Sequence, residues 1–158
     1  MVAAVEPAPN YLITTAMQYV VREGTGQAVY HVMPAEQTAA GKTGTTDDLR
    51  DSWFAGFTGD RLGVVWIGRD DNQPTGLTGS SGALRIWRDL FATAGGTNLQ
   101  PPGDDIEYQW IDPLTGLRAD ESCLDAVQLP FIRGSAPTEQ APCANRPRPI
   151  DWFEELFN

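Results

Sequence analysis

Residues 38–67 read Thr-Ala-Ala-Gly-Lys-Thr-Gly-Thr-Thr-Asp-Asp-Leu-Arg-Asp-Ser-Trp-Phe-Ala-Gly-Phe-Thr-Gly-Asp-Arg-Leu-Gly-Val-Val-Trp-Ile. Two stretches, Trp53–Thr58 and Leu62–Ile67, are rich in aromatic and β-branched residues and predict strands. Gly59-Asp60 between them predicts a hairpin turn. The small residues of 38–45 predict a third strand pressed closely against neighbouring backbone, with 47–51 as a polar turn. Both apolar strands carry large side chains at successive positions. The sheet is therefore expected to be covered on both faces, by helices.

Working outward, residues 9–23 predict a helix. Leu12, Ile13, Ala16, Met17, Val20 and Val21 recur at steps of three and four, Asn10 is its expected N-cap, and Gly24 its expected left-handed stop. Residues 27–36 read as irregular and 68–80 as a loop. A second helix is predicted from about Ser81 to Ala94, burying Leu84, Ile86, Trp87, Leu90 and Phe91, and Gly95-Gly96 ends it. After Pro101-Pro102 the character changes. Ile106–Trp110, the turn 112–116 and Leu117–Glu121 predict a hairpin. In the tail, Trp152, Phe153, Leu156 and Phe157 share a helical face that folds back on its own domain or frays, with a docking helix for another protein as the alternative. The expected divisions are 1–96, 97–145 and 146–158, and the fold class is α+β.

Composition narrows the function. The chain has 158 residues and a net charge of -10, which opposes binding to nucleic acid or anionic lipid. Lys42 is the only lysine and His31 the only histidine; no Ser-His-Asp triad is expected within the chain, and His31 reads as a surface residue in an irregular segment. No apolar run reaches membrane-spanning length, and the N-terminus lacks the basic flank of a signal peptide; a targeting segment is expected upstream. The two cysteines, Cys123 and Cys143, fit no zinc spacing. They read either as separate buried thiols or as a disulfide.

The chemistry centres on Gly41-Lys42-Thr43-Gly44-Thr45-Thr46. Lys-Thr-Gly is one of the signature motifs of penicillin-binding proteins and class A β-lactamases, although three residues alone recur by chance. Context strengthens it. Asp51-Ser52-Trp53-Phe54-Ala55-Gly56, Gly68-Arg69-Asp70-Asp71-Asn72-Gln73-Pro74-Thr75, Gly79-Ser80-Ser81-Gly82-Ala83, Tyr11-Leu12 and Arg22-Glu23-Gly24-Thr25-Gly26 together resemble the transpeptidase domain of class A bifunctional penicillin-binding proteins. The resemblance spans residues 10–94 and continues more loosely through the two-cysteine region.

That resemblance implies the C-terminal part of a β-lactamase-like transpeptidase domain, its antiparallel strands covered by helices, followed by a small β appendage. It implies D,D-transpeptidation of peptidoglycan stem peptides ending in D-Ala-D-Ala, and acylation by β-lactams. Lys42 and Thr45 are implied as catalytic, the Thr45 N–H as an oxyanion donor, and Thr43, Gly44, Thr45 and Thr46 as substrate-binding. No cofactor or metal is implied. A glycosyltransferase domain and a membrane anchor precede this domain in the family, so the expected location is the periplasm, at the outer face of the cytoplasmic membrane, with no membrane contact by this segment. An oxidising compartment favours a Cys123–Cys143 disulfide. The departures from the family pattern are large: the sequence contains neither Ser-x-x-Lys nor Ser-x-Asn. The nucleophile is expected from the missing N-terminal part of the same enzyme, and the chain alone is expected to be inactive. The rivals are a serine β-lactamase-like fragment and a non-catalytic binding or remnant module.

Overall fold

A computed structural model describes residues 5–144. Residues 10–101 form one compact unit; among the described residues, 5–9 and 102–144 form another. The tail helix expected around Trp152–Phe157 lies outside the described residues.

The helix α1 spans Pro7–Arg22, and its residues from Asn10 onward belong to the first unit. The helix starts earlier than the expected cap, so Asn10 lies inside it. Prolines fit here because first-turn N–H groups lack intrahelical partners in any case. Gly24 ends α1 without entering the left-handed region, contrary to expectation: its φ is not positive. What glycine supplies there is close approach. A Cβ on Gly24 would meet the Val20 carbonyl oxygen at 3.0 Å, and one on Gly26 would meet Val21 Cα at 2.9 Å. The chain then makes a 3-10 turn, Gln27–His31, which buries Val29.

Three strands follow: β1 (Ala40–Thr45), β2 (Ser52–Phe57) and β3 (Leu62–Ile67). They form an antiparallel sheet in the order β1-β2-β3, so β1 is an edge strand. The register pairs Lys42 with Ala55, Gly44 with Trp53 and Thr45 with Ser52 across β1–β2, and Trp53 with Trp66 across β2–β3. Because side chains alternate along a strand, Ser52, Phe54 and Gly56 face one way and Trp53, Ala55 and Phe57 the other. The first face is the core side. There α2 (Ala83–Ala94) buries Ala83, Leu84, Trp87 and Phe91, with Phe54, Val21, Val29, Met33 and Ala39 completing the cluster. The Trp87 ring is stacked on Phe91 at 3.9 Å and meets Phe54 edge-on at 5.1 Å, and its indole N–H donates to the Gly56 carbonyl at 3.3 Å.

The other face departs from the expected two-sided cover. Trp53, Leu62, Val64 and Trp66 are 42%, 73%, 58% and 49% exposed, so helices cover one face only among the described residues. Ile86 and Leu90, expected on the buried side of α2, are also exposed. They lie outside the arc occupied by Leu84, Trp87 and Phe91, which alone suffices to cover a sheet this narrow.

The second unit contains β4 (Ile106–Ile111) paired antiparallel with β5 (Val127–Ile132). This corrects the expected hairpin. The turn is present: Asp112 accepts from the Gly116 N–H at 2.8 Å through its carbonyl and from the Thr115 hydroxyl at 2.8 Å through its carboxylate. However, Leu117–Glu121 contributes only one bridge to β4, Ile111 with Arg118, and another from Arg118 to Gln140, and the strand partner of β4 comes from further along the chain. Cys123 and Cys143 are disulfide-bonded, with Cα atoms 5.5 Å apart, and the buried residues around them are Ala119 and Ala141.

Candidate functional site

The Lys-Thr-Gly-Thr run occupies most of β1. An edge strand presents backbone N–H and C=O groups that no neighbouring strand uses, so an extended peptide can add there by strand pairing. Lys42 is exposed on the tryptophan-bearing face, and its ammonium donates to the Thr43 carbonyl at 2.9 Å. It is thus held along its own strand, its charge in solvent and unpaired with any carboxylate in an ion pair among the described residues. Gly44, on the same face, keeps that stretch of strand bare of side chain.

Thr43 and Thr45 alternate to the opposite face. The Thr43 hydroxyl shares a hydrogen bond with the Thr25 hydroxyl at 2.8 Å, which links β1 to the segment after α1. The Thr45 hydroxyl accepts from the Gly79 N–H at 2.9 Å, while Thr45 itself stays exposed. Thr46 is engaged differently. Its hydroxyl donates to the Asp51 carboxylate at 3.0 Å and accepts from the Asp51 N–H at 2.9 Å, clasping the β1–β2 turn. The other oxygen of Asp51 accepts from the Trp66 indole at 2.9 Å, so one carboxylate fixes both the turn and a ring of the exposed face.

Sequence reasoning singled out β1 but missed what supports it. Ser52 is fully buried directly across the ladder from Thr45. Its hydroxyl donates to the Thr78 carbonyl at 2.7 Å and accepts from the Ala83 N–H at 2.8 Å. The available signal was alternation: in Ser52-Trp53-Phe54-Ala55-Gly56 a lone hydroxyl takes an inward position, and a buried hydroxyl requires partners. On the adjoining loop, Asp71 forms a two-point pair with Arg69, at 2.7 and 2.9 Å. That guanidinium, followed by the Gln73 N–H, holds the Asp71 carboxyl below its ordinary range.

A shallow hollow lined by Phe57, Thr58, Gly59, Asp60, Arg61 and Leu62 lies at the β2–β3 turn, the opposite end of β2 from Ser52. Its lining includes none of residues 42–46. Among the described residues, no group of three or more His, Cys, Asp or Glu side chains is placed to hold a metal ion, and no helix is long and apolar enough to cross a membrane.

No family model matches the chain. Individual proteins do. It is 38% identical over 164 aligned positions to penicillin-binding protein 1B of Vibrio cholerae serotype O1, covering 98% of this chain and 19% of that protein. It is 45% identical over 111 positions to penicillin-binding protein 1B of Escherichia coli strain K12, covering 69% of this chain and 13% of that one. Its fold matches the crystal structure of penicillin-binding protein 1A from Haemophilus influenzae with a TM-score of 0.72 at 27% identity, over 86% of this chain and 22% of that chain. The chain is homologous to these proteins over most of its own length. It spans about a fifth or less of the curated relatives it matches.

Proposed function

We propose that the chain is the Lys-Thr-Gly-bearing part of a peptidoglycan D,D-transpeptidase domain, working in the periplasm with a serine supplied by protein outside these 158 residues. The observation that carries this reading is the placement of Lys42-Thr43-Gly44-Thr45 along an open sheet edge, in a chain homologous to penicillin-binding proteins.

The chemistry follows from that placement. A stem peptide ending in D-Ala-D-Ala lies along the edge of β1, where Gly44 lets its backbone approach. The serine oxygen attacks the carbonyl of the penultimate residue. Negative charge grows on that carbonyl oxygen, and the Thr45 N–H is one of the donors placed to receive it. The C–N bond to the terminal D-alanine breaks and its nitrogen leaves with a proton. An amine of a second stem peptide then takes the acyl group, forming the cross-link and restoring the serine. Lys42 supplies a fixed positive charge beside the reacting groups, and the Thr43 and Thr45 hydroxyls donate to the terminal carboxylate. Thr46 belongs to the same cradle, with its proton given to Asp51 in the free chain. A β-lactam presents the same end to the serine.

The chain mixed with a fluorescent penicillin and run on a denaturing gel is expected to show no covalent band; a band would place a nucleophile within these residues. The coding DNA upstream of Met1 is expected to continue in frame into Ser-x-x-Lys and Ser-x-Asn. A start codon with its own ribosome site would instead make the chain a stand-alone, non-catalytic module. In the longer protein, Lys42→Ala is expected to lower acylation about a hundredfold or more; unchanged acylation would remove Lys42 from the mechanism.

A further inference from the structure

The geometry points to Ser52 and Gly79 as positioning residues that set the direction of the Thr45 hydroxyl. This rests on the reading of Thr45 as a donor to the substrate's terminal carboxylate.

A threonine hydroxyl has one proton and two lone pairs, and its rotation decides which way the proton is given. The Gly79 N–H takes one lone pair of the Thr45 oxygen at 2.9 Å. A hydroxyl pinned in this way is left to donate, which is what a carboxylate requires. Without the pin it is equally free to turn its lone pairs toward the anion, and the approaching substrate must then pay for the reorientation.

The Gly79 amide is held in place from two sides. First, the loop lies so close to β1 and β2 that only glycine fits. A Cβ at Gly79 would stand 2.7 Å from both the Gly44 and Trp53 carbonyl oxygens and 2.9 Å from the Gly44 nitrogen, distances at which backbone must move. Second, Ser52 clamps both ends of the loop, giving its proton to the Thr78 carbonyl and accepting the Ala83 N–H. Between these ends Thr78 and Ser81 bind each other reciprocally: the Thr78 N–H reaches the Ser81 hydroxyl at 2.9 Å and the Ser81 N–H reaches the Thr78 hydroxyl at 3.1 Å. The reciprocal bonds resemble those of a capping box, but they close the turn that precedes α2, whose own N-cap is Gly82. Since Ser52 also stands opposite Thr45 in the ladder, the clamp and the hydroxyl it orients are tied to the same rung. The buried serine thus acts on the exposed threonine through the loop, with no contact to substrate itself.

Two measurements test this. In the 158-residue chain, amide hydrogen exchange is expected to show the Gly79 N–H protected, with protection lost in Thr45→Val, which keeps the shape without the hydroxyl, and in Ser52→Ala, while Thr45→Ser retains it. In the longer protein, second-order acylation is compared for a penicillin with a free carboxylate and for its methyl ester. Ser52→Ala is expected to lower the acid-to-ester ratio about tenfold, the effect of one lost hydrogen bond to a charged group, and Ser52→Ala with Thr45→Val to lower it no further than Thr45→Val alone. Gly79→Ala gives the same result by pushing the loop away, should Ser52→Ala fail to fold. An unprotected Gly79 amide in the wild-type chain overturns the proposal, as does a Ser52→Ala protein that loses acid and ester rates by one common factor, the mark of general destabilisation. A wild-type protein that acylates acid and ester alike fails earlier, at the carboxylate-binding role of Thr45, and takes the positioning role with it.

Discussion

The two units of this chain are held together by different means. The unit of residues 10–101 buries Phe54, Leu84, Trp87, Phe91 and Val21 in one continuous cluster. The described part of the other unit buries Ala119, Cys123 and Ala141 around a disulfide, with Trp110 and Leu117 packed against it, and buries Ile106 and Ile111 at the two ends of β4. Large rings remove enough apolar surface from water to stabilise a sheet and helix by packing. Two isoleucines and a cluster of alanine and cysteine side chains remove less, so the second unit leans more on a covalent link that restricts its unfolded chain. The proposed chemistry sits on the unit held by packing, where a strand edge can be kept rigid from behind.

Trp87→Ala is the most severe way to break that difference. The ring is fully buried between Phe54 and Phe91, and deleting a buried tryptophan costs about 3–5 kcal/mol. Urea unfolding followed by exchange of β1–β3 amides is expected to show this loss, with the amides of β4 and β5 little changed. Equal losses in both units would show that they unfold as one. Converting Cys123 and Cys143 to serine makes the opposite test. For a bridge closing a sequence separation of 20 residues, about 3 kcal/mol is expected. It should appear as faster exchange in β4 and β5 while β1–β3 keep their protection. If the second unit tolerates the change, its packing suffices after all.

The exposed face of the sheet offers a smaller test within the first unit. Trp53 and Trp66 face each other with ring centroids 6.0 Å apart at a tilted angle, yet both are about half in solvent. Trp66→Phe removes the indole bond to Asp51 and keeps an aromatic partner for Trp53. A loss of about 1 kcal/mol is expected, well below that at Trp87. A loss as large as that at Trp87 would mean that something covers this face.

What the sequence disclosed follows the same division. The strand Leu62–Ile67 agrees end to end with the periodic reading, β2 is displaced by one residue, and α2 begins two residues later than expected. In these segments large apolar residues dominate and local pattern matches tertiary packing. In the second unit local pattern misled. Val127–Ile132 contains Pro130, which argues against a strand, yet in a two-stranded sheet each strand has an open edge that needs no N–H at every position. The disulfide, left open by spacing alone, is present. Within the candidate site, Lys42 through Thr46 were legible because the motif is contiguous. The Ser52–Thr78–Ala83 clamp was not, because it joins residues 26 and 31 positions apart. That the sheet would be covered on one side only among the described residues was also hidden, since an apolar strand reads the same whether or not its cover belongs to the chain in hand.

The least perturbing test changes pH alone. At the β2–β3 turn, one oxygen of Asp60 accepts from the Thr97 N–H at 2.7 Å and from the Thr58 hydroxyl at 3.3 Å. The Thr97 backbone bond is the largest cause holding the Asp60 carboxyl below its ordinary value, and Arg61 adds a weaker attraction. A carboxyl whose pKa is lower in the folded state than in the unfolded chain favours folding when ionised. Its contribution is therefore complete above the unfolded value, near pH 4, and disappears as pH falls through the folded one. Asp60→Asn is expected to flatten the acid limb of stability for the unit of residues 10–101 and to speed exchange of the Thr97 amide, leaving the acid response of β4 and β5 unchanged. The carboxylate is open to solvent, so salt will weaken the Arg61 part first and the directional bond to Thr97 last. If added salt erased the whole effect, the attraction to Arg61 and not the bond to Thr97 would be what ties this turn to the segment after α2.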